Sequence, residues 1–206
     1  EPLTRIGKDA FREDERGARL TFVILPDQLS IIGEGAFRDS DLHTLVIPGS
    51  VNYIHPDAFY NCESLIDITF EPSPSNIPLN ICYSTTAGGS QIGPFYYSPL
   101  EKIDLNREIK YWEDEEYSEE FTPDEMDEGV FAIEEVDEDR NSTSLEIGAQ
   151  VKTIHDFMFC NHPLFYLDIP GTVNTIGNNA FNGCTNINYL KFYPSTDGSE
   201  LTLGYN

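Results

Sequence analysis

The residues of this chain with the means to do chemistry are four cysteines, four histidines and a large excess of carboxylates, 36 Asp and Glu against 12 Lys and Arg. Thiols act in pairs, as disulfides or zinc ligands, and the spacing of Cys62, Cys82, Cys160 and Cys184 offers no zinc-finger pattern. They are expected to be small buried hydrophobes. Of the histidines, His43, His55, His155 and His162, two, His55 and His155, stand where related segments carry Gly33 and Gly177, which a tolerant turn position explains. No HExxH, GxSxG or Walker loop occurs, and Gly33-Glu34-Gly35 is the nearest approach to a phosphate-cradling turn. No catalytic residue, metal ligand or cofactor is assigned, and the chain reads as non-enzymatic.

The carboxylates are concentrated. Residues 113–139 hold 15 of the 36, the composition of a solvated loop. At its end Asp137-x-Asp139-x-Asn141-x-Thr143 matches the first half of a calcium loop, but the sixth residue is Ser142 instead of glycine and the twelfth is Gly148 instead of a bidentate glutamate. Calcium is therefore only a minor expectation. A net charge of −24 makes nucleic acid and anionic membrane surfaces poor partners, and favours cations or basic proteins. No apolar run approaches the roughly 20 residues that cross a bilayer. With 39% hydrophobic and 12% aromatic residues the chain can nevertheless build a core.

What positions these residues is a repeat. The segment from Ile47 to Ser73 returns from Ile169 to Ser195 at an offset of 122 positions. A shorter unit recurs inside it: I-G-x-x-A-F, then a small residue, then L-x-x-L-x-I-P and V-x-x-I. Its phenylalanines are Phe11, Phe37, Phe59, Phe95, Phe131, Phe159 and Phe181, spaced by 26, 22, 36, 36, 28 and 22 residues. About seven turns follow, with a minimal unit of 22 and insertions in the longer ones.

This pattern, with A-F or its variants M-F and V-F, resembles the BspA-like leucine-rich-repeat family, most strongly in residues 32–70 and 154–192. The resemblance implies an α/β-type repeat solenoid, a right-handed superhelix with one short strand per turn. It also implies a bacterial surface or secreted protein, often adhesive, that binds a protein or host surface component. The whole of 1–206 is expected to be one solenoid, and a piece of a longer chain. The chain begins at Glu1 without methionine, so a leader or anchor is expected outside it.

Each turn contains an alternating segment such as Leu45-Val46-Ile47 or Leu167-Asp168-Ile169, whose outer residues point inward and whose middle one points out. The A-F stretch before each strand is too short for a free helix and is expected to form one helical or 3₁₀ turn on the convex side. Pro72 and Pro194 open matching excursions, expected to be hairpin-like. Stacking at about 4.8 Å per turn would separate Cys62 from Cys184 by about 19 Å, too far for a disulfide.

The same stacking aligns outward residues in rows. One row reads Ile24, Val46, Thr69, Asp104, Glu146, Asp168, Lys191, and its neighbour Phe22, Thr44, Asp67, Lys102, Ser144, Tyr166, Tyr189. Asp104, Glu146 and Asp168 would repel one another by up to about 1 kcal/mol per adjacent pair, a cost that a basic partner or a cation removes. With Tyr166, Tyr189 and Lys191 they form the expected partner-binding face. An alternative reading is a calcium-dependent or glycan-binding module, with the tyrosines stacking on sugar.

Overall fold

The computed structural model describes residues 2–13, 19–85, 91–112, 130–131 and 143–205. The acidic segment 113–139 lies outside the described residues apart from Val130 and Phe131, as do Asp137, Asp139 and Asn141 of the calcium-like motif.

Alternation makes the main strands. The main strands are β3 (Thr44–Ile47), β5 (Asp67–Phe70), β9 (Lys102–Leu105), β11 (Ser144–Ile147), β13 (Tyr166–Ile169) and β15 (Tyr189–Phe192); in β3, β5, β9 and β13 the second and fourth residues are buried in the core, whereas Leu190 and Phe192 of β15 are exposed. Leu45, Ile47, Ile68, Phe70, Ile103 and Leu105 are all but inaccessible, while Val46 is 48% exposed. The strands pair parallel in the order β3-β5-β9-β11, and β13 pairs with β15.

A second ladder runs along a second side, so the expected single strand per turn is corrected to two. Strands β1 (Arg5–Ile6), β2 (Ile31–Ile32), β4 (Tyr53–Ile54), which ends the V-x-x-I motif of Val51, β6 (Leu79–Cys82) and β10 (Ile109–Trp112) form one parallel sheet. β12 (Thr153–Ile154), β14 (Thr175–Ile176) and β16 (Thr202–Leu203) form another. The excursions after Phe70 and Phe192 are lengthened crossovers and not hairpins, because they lead to β6 and β16, which pair parallel with β4 and β14. The hairpin is elsewhere: β7 (Ser84–Thr85) pairs antiparallel with β8 (Gln91–Ile92) just before Gly93.

The third side belongs to the A-F tracts, where the expected helical turns do not form among the described residues. In the tracts described, β-turns are linked one to the next. Around Phe37, Ala36 donates to Gly33 O, Arg38 to Gly35 O and Ser40 to Phe37 O. The third residue of the first and of the last of these turns is left-handed: Gly35 (φ 58) and Asp39 (φ 64) here, Asp57 and Asn61 around Phe59, Asn179 and Gly183 around Phe181. A left-handed residue every fourth position prevents helix propagation and fits type II turns, which favour Gly, Asn or Asp at that position. The tract amides left over point along the axis. Gly35, Phe37 and Asp39 donate to Pro56, Ala58 and Tyr60 of the next turn, and Phe157, Phe159 and Asn161 repeat this toward Asn178, Ala180 and Asn182.

Inside this wall all seven phenylalanines stack, with successive centroids 5.3, 5.3, 5.3, 5.9, 5.4 and 5.6 Å apart. At three of the turns the residue three places after the phenylalanine serves the turn before it. Cys62 Sγ, Ser98 Oγ and Cys184 Sγ donate to the carbonyls of Phe37, Phe59 and Phe159 at 3.3, 3.1 and 3.1 Å. None of the four cysteines is in a disulfide. Burial pushes Cys62 up to about 11 and Cys184 to about 12 from an ordinary 9.0. At pH 8 the native Cys62 thiolate is thus about 100-fold scarcer than in the unfolded chain, and iodoacetamide labelling followed by mass spectrometry should slow by that factor. Because the unfolded thiols ionise first, stability should fall as pH rises from 9 toward 11. Equal labelling of native and urea-unfolded protein would refute this account of the column.

Both backbone ladders are interrupted, one turn apart. The short-strand sheet stops at β10 and restarts at β12, while the long-strand sheet stops at β11 and restarts at β13. Side chains bridge the gaps. Glu108 Oε2 accepts from the Lys152 and Thr153 amides at 2.5 and 3.2 Å, and His155 Nε2 meets Ile109 O at 2.8 Å. His162, fully buried, contacts Phe131 O and lies 3.3 Å from Thr143 Oγ1. These two histidines are joints, and the tolerant-turn expectation for His155 is corrected.

Candidate binding face on the stacked strands

The register confirms the two outward rows wherever strands pair. Thr44, Asp67, Lys102 and Ser144 are successive partners, as are Val46, Thr69, Asp104 and Glu146. Tyr166 faces Tyr189 and Asp168 faces Lys191. The remaining step is from Glu146 on β11 to Asp168 on β13, strands that lie side by side and are linked through a bridge between Thr143 and Leu164.

The charges are not arranged as simple repulsion. Lys102 Nζ lies 2.8 Å from Asp104 and 3.8 Å from Asp67, and Thr69 Oγ1 donates to Asp104 at 3.3 Å. The ammonium is held above its usual range, first by the hydrogen bond to Asp104 and also by the charges of Asp104, Asp67 and Glu146. Residues two apart on one strand share a face, which is how Lys102 reaches Asp104. Asp104 is thereby neutralised within the chain, and the expected three-carboxylate repulsion is corrected to two exposed carboxylates, Glu146 and Asp168. Neither makes an ion pair within 4 Å among the described residues. Lys191 leans over the Tyr193 ring at 4.0 Å.

Aromatic and apolar groups occupy the two ends. Tyr166 is 63% and Tyr189 45% exposed, their centroids 5.8 Å apart, with Phe165 edge-on to Tyr166 at 4.8 Å. At the other end Val46 of β3 is exposed, as are Phe22 and Ile24 in a neighbouring segment that forms no strand with β3. The face therefore passes from apolar, through an ion network in which the single Lys102 serves both Asp67 and Asp104, to acidic and aromatic. Among the described residues no three His, Cys, Asp or Glu side chains are placed to hold a metal ion, and no helix is long and apolar enough to cross a membrane.

One residue of consequence had no motif. Arg107, on the corner between β9 and β10, is fully buried, and donates to Gly49 O at 3.3 Å, Val51 O at 2.8 Å and Ile77 O at 2.8 Å. Burial lowers its guanidinium to about 10. That corner has three residues, 106–108, where the corner after β3 has five, 48–52. Arg107 reaches back over two turns while Glu108 reaches forward to β12. The shortened corner, with a charged pair in it, was the available signal.

Short parallel strands stacked turn on turn, with a buried aromatic column behind them, define a leucine-rich-repeat solenoid. The chain belongs to the BspA-type leucine-rich-repeat family, whose sequence model matches six copies over residues 1–91 and 137–200. A leucine-rich repeat protein from Bacteroides ovatus ATCC 8483 has a similar fold, with a TM-score of 0.55 at 21% identity over 98% of this chain and 43% of that one. A leucine-rich repeat protein from Eubacterium ventriosum ATCC 27560 is 16% identical over 82% of this chain and 41% of its own, with a TM-score of 0.31. A leucine rich cell surface protein from Faecalibacterium prausnitzii A2-165 is 18% identical over 84% of this chain and 53% of its own, with a TM-score of 0.28. This chain thus spans about half the length of those proteins or less. No curated protein matches the sequence.

Proposed function

We propose that the protein is a non-enzymatic interaction scaffold, displayed on a bacterial surface or secreted, that docks a basic protein segment on its stacked-strand face. The observation that carries this reading is the pairing of exposed Tyr166 and Tyr189 with two carboxylates, Glu146 and Asp168, that lack an ion pair among the described residues. Solenoids present long, rigid surfaces of this kind. Tyrosines supply amphipathic contact area that loses little entropy on binding, and carboxylates give salt-dependent steering toward a cationic partner. Lys191 sets a limit at the edge, since its ammonium disfavours a uniformly basic ligand there. Surface display follows the habit of the BspA-type family.

A displayed library of random twelve-residue peptides, selected on the intact protein, tests the docking reading. Enriched peptides should carry Lys or Arg near an apolar residue and weaken as salt rises. The variant Tyr166→Ser with Asp168→Asn should bind them at least tenfold more weakly, about 1.4 kcal/mol or more. Enriched peptides that bind this variant unchanged would place the interaction elsewhere.

A further inference from the structure

The apolar end of the strand face is split by a groove of about 280 Å³. Phe22 and Ile24 form one wall, Thr44 and Val46 of β3 the other, and Asp27 and Glu71 stand at the rim. A proline helps to keep it open. The residue after an inner strand donates to the turn before, as Glu71 does to Ile47 O at 3.0 Å and Tyr193 to Ile169 O at 2.9 Å. After β3 that residue is Pro48, one place beyond the pair of Ile47 and Phe70, and it has no N–H to give. Among the described residues the chain entering β3 is tied to residues 20–25 by one backbone hydrogen bond, from the His43 amide to Thr21 O at 3.4 Å, and the Thr44 and Val46 amides find no backbone partner there. Pro170 holds the same place after β13, where the long-strand ladder is also interrupted.

The walls are out of character for their rows. Beyond Val46 the row of Ile24 is polar throughout, from Thr69 to Lys191, and the row of Phe22 continues with Thr44, Asp67 and Lys102. Phe22 is 61%, Ile24 80% and Val46 48% exposed, so burial in the core does not account for their being apolar. Adjoining exposed apolar side chains around a groove mark a contact site. Its size suits one large side chain and is small for a whole ligand. The exposed carboxylates of Asp27 and Glu71 give the rim the same sign of charge as the far end of the face.

The distance between the two ends selects a spacing. With strands about 4.8 Å apart, the groove is roughly 12 Å from β9 and roughly 19 Å from the line between β11 and β13, where Glu146 and Asp168 stand. An extended peptide laid across the strands advances about 3.3 Å per residue and turns every second side chain toward the face. About four residues from the groove it passes over Lys102, whose ammonium repels a cation, and about six residues from it a side chain of the same set reaches Glu146 and Asp168, which attract one.

We propose that the face takes an extended peptide with two anchors, a large apolar side chain in the groove and a Lys or Arg six residues away, on either side in sequence, between Glu146 and Asp168. This rests on the docking reading above and adds to it the spacing of the ligand. The side chain that falls over Lys102 is neutral or acidic.

Calorimetry on the intact chain with synthetic Ser/Thr peptides is the test. Each carries one Phe and one Arg, in both orders, separated by two, four or six positions, beside a peptide with Arg and no Phe. The six-position peptide should bind at least tenfold more tightly than the others. Ile24→Thr with Val46→Thr installs the residue type of Thr69 in the same row, so it should fold as the parent does and yet reduce the six-position peptide to the affinity of the one without Phe. Peptides that lose binding in Tyr166→Ser with Asp168→Asn but ignore the phenylalanine or its spacing would overturn the two-anchor proposal and leave the docking reading standing. No binding at any spacing would overturn the proposal, and binding that survives Tyr166→Ser with Asp168→Asn would overturn the docking reading with it.

Discussion

Replacing Arg107 with alanine is expected to lower the unfolding free energy by about 3–5 kcal/mol, the range for breaking a buried charged hydrogen-bond set. Three carbonyls, of Gly49, Val51 and Ile77, lose their donor at once, and they belong to two turns earlier than the one that holds the arginine. The loss is therefore one of registration between three neighbouring turns as well as of hydrogen bonds. Arg107→Met separates the parts of the effect, because it fills most of the volume and removes a buried cation while still leaving the carbonyls unpaired. It should cost less than alanine but remain clearly destabilising. Urea unfolding with an unchanged slope would give both values, and an alanine variant within about 1 kcal/mol of the parent would refute the role.

Phe59→Ala should cost about as much, roughly 3–5 kcal/mol, as expected for truncating a buried phenylalanine. Phe59 is inaccessible and sandwiched at 5.3 Å on both sides, between Phe37 and Phe95. In a protein of this size the change corresponds to a Tm lower by about 6–20 °C. Phe11→Ala is the matched control. Phe11 stacks on one side only, against Phe37, and is 50% exposed, so its loss should cost about 1 kcal/mol or less. Nearest-neighbour stability predicts this contrast between an inner and an outer turn, and equal effects at both sites would contradict it.

The phenylalanine column and the outward rows were both readable from the sequence, for one physical reason. A repeat fixes register, and once register is fixed, a period of two assigns every strand residue to a face. Most strands of the second ladder, all but β6 and β10, have two residues and escape such a reading, since two positions cannot display a period. The linked turns were misread as helical because the A-F motif drew attention to the apolar residues. The informative positions were two before and two after each phenylalanine, where Asp9, Gly35 and Asp57, then Asp39, Asn61 and Gly183, are types that accept positive φ. The Lys102 to Asp104 pair was visible in principle, two residues apart on one strand. His155 and His162 were not legible, and Arg107 was marked only by its shortened corner, because each acts where the repeat is broken, and a repeat-based reading treats such residues as noise.

The staggered interruption of the two ladders gives the solenoid a particular mechanics. The turn containing β11 and β12 is laced to the preceding turn by its long strand and to the following one by its short strand. It is a lap joint. No cross-section through it is free of backbone pairing, so tension along the axis meets hydrogen bonds at every level. On each side one of the two ladders holds, while the side chains of Glu108, His155 and His162 and the bridge from Thr143 to Leu164 span the other, and the carboxylates Glu146 and Asp168 lie on either side of the interruption between β11 and β13.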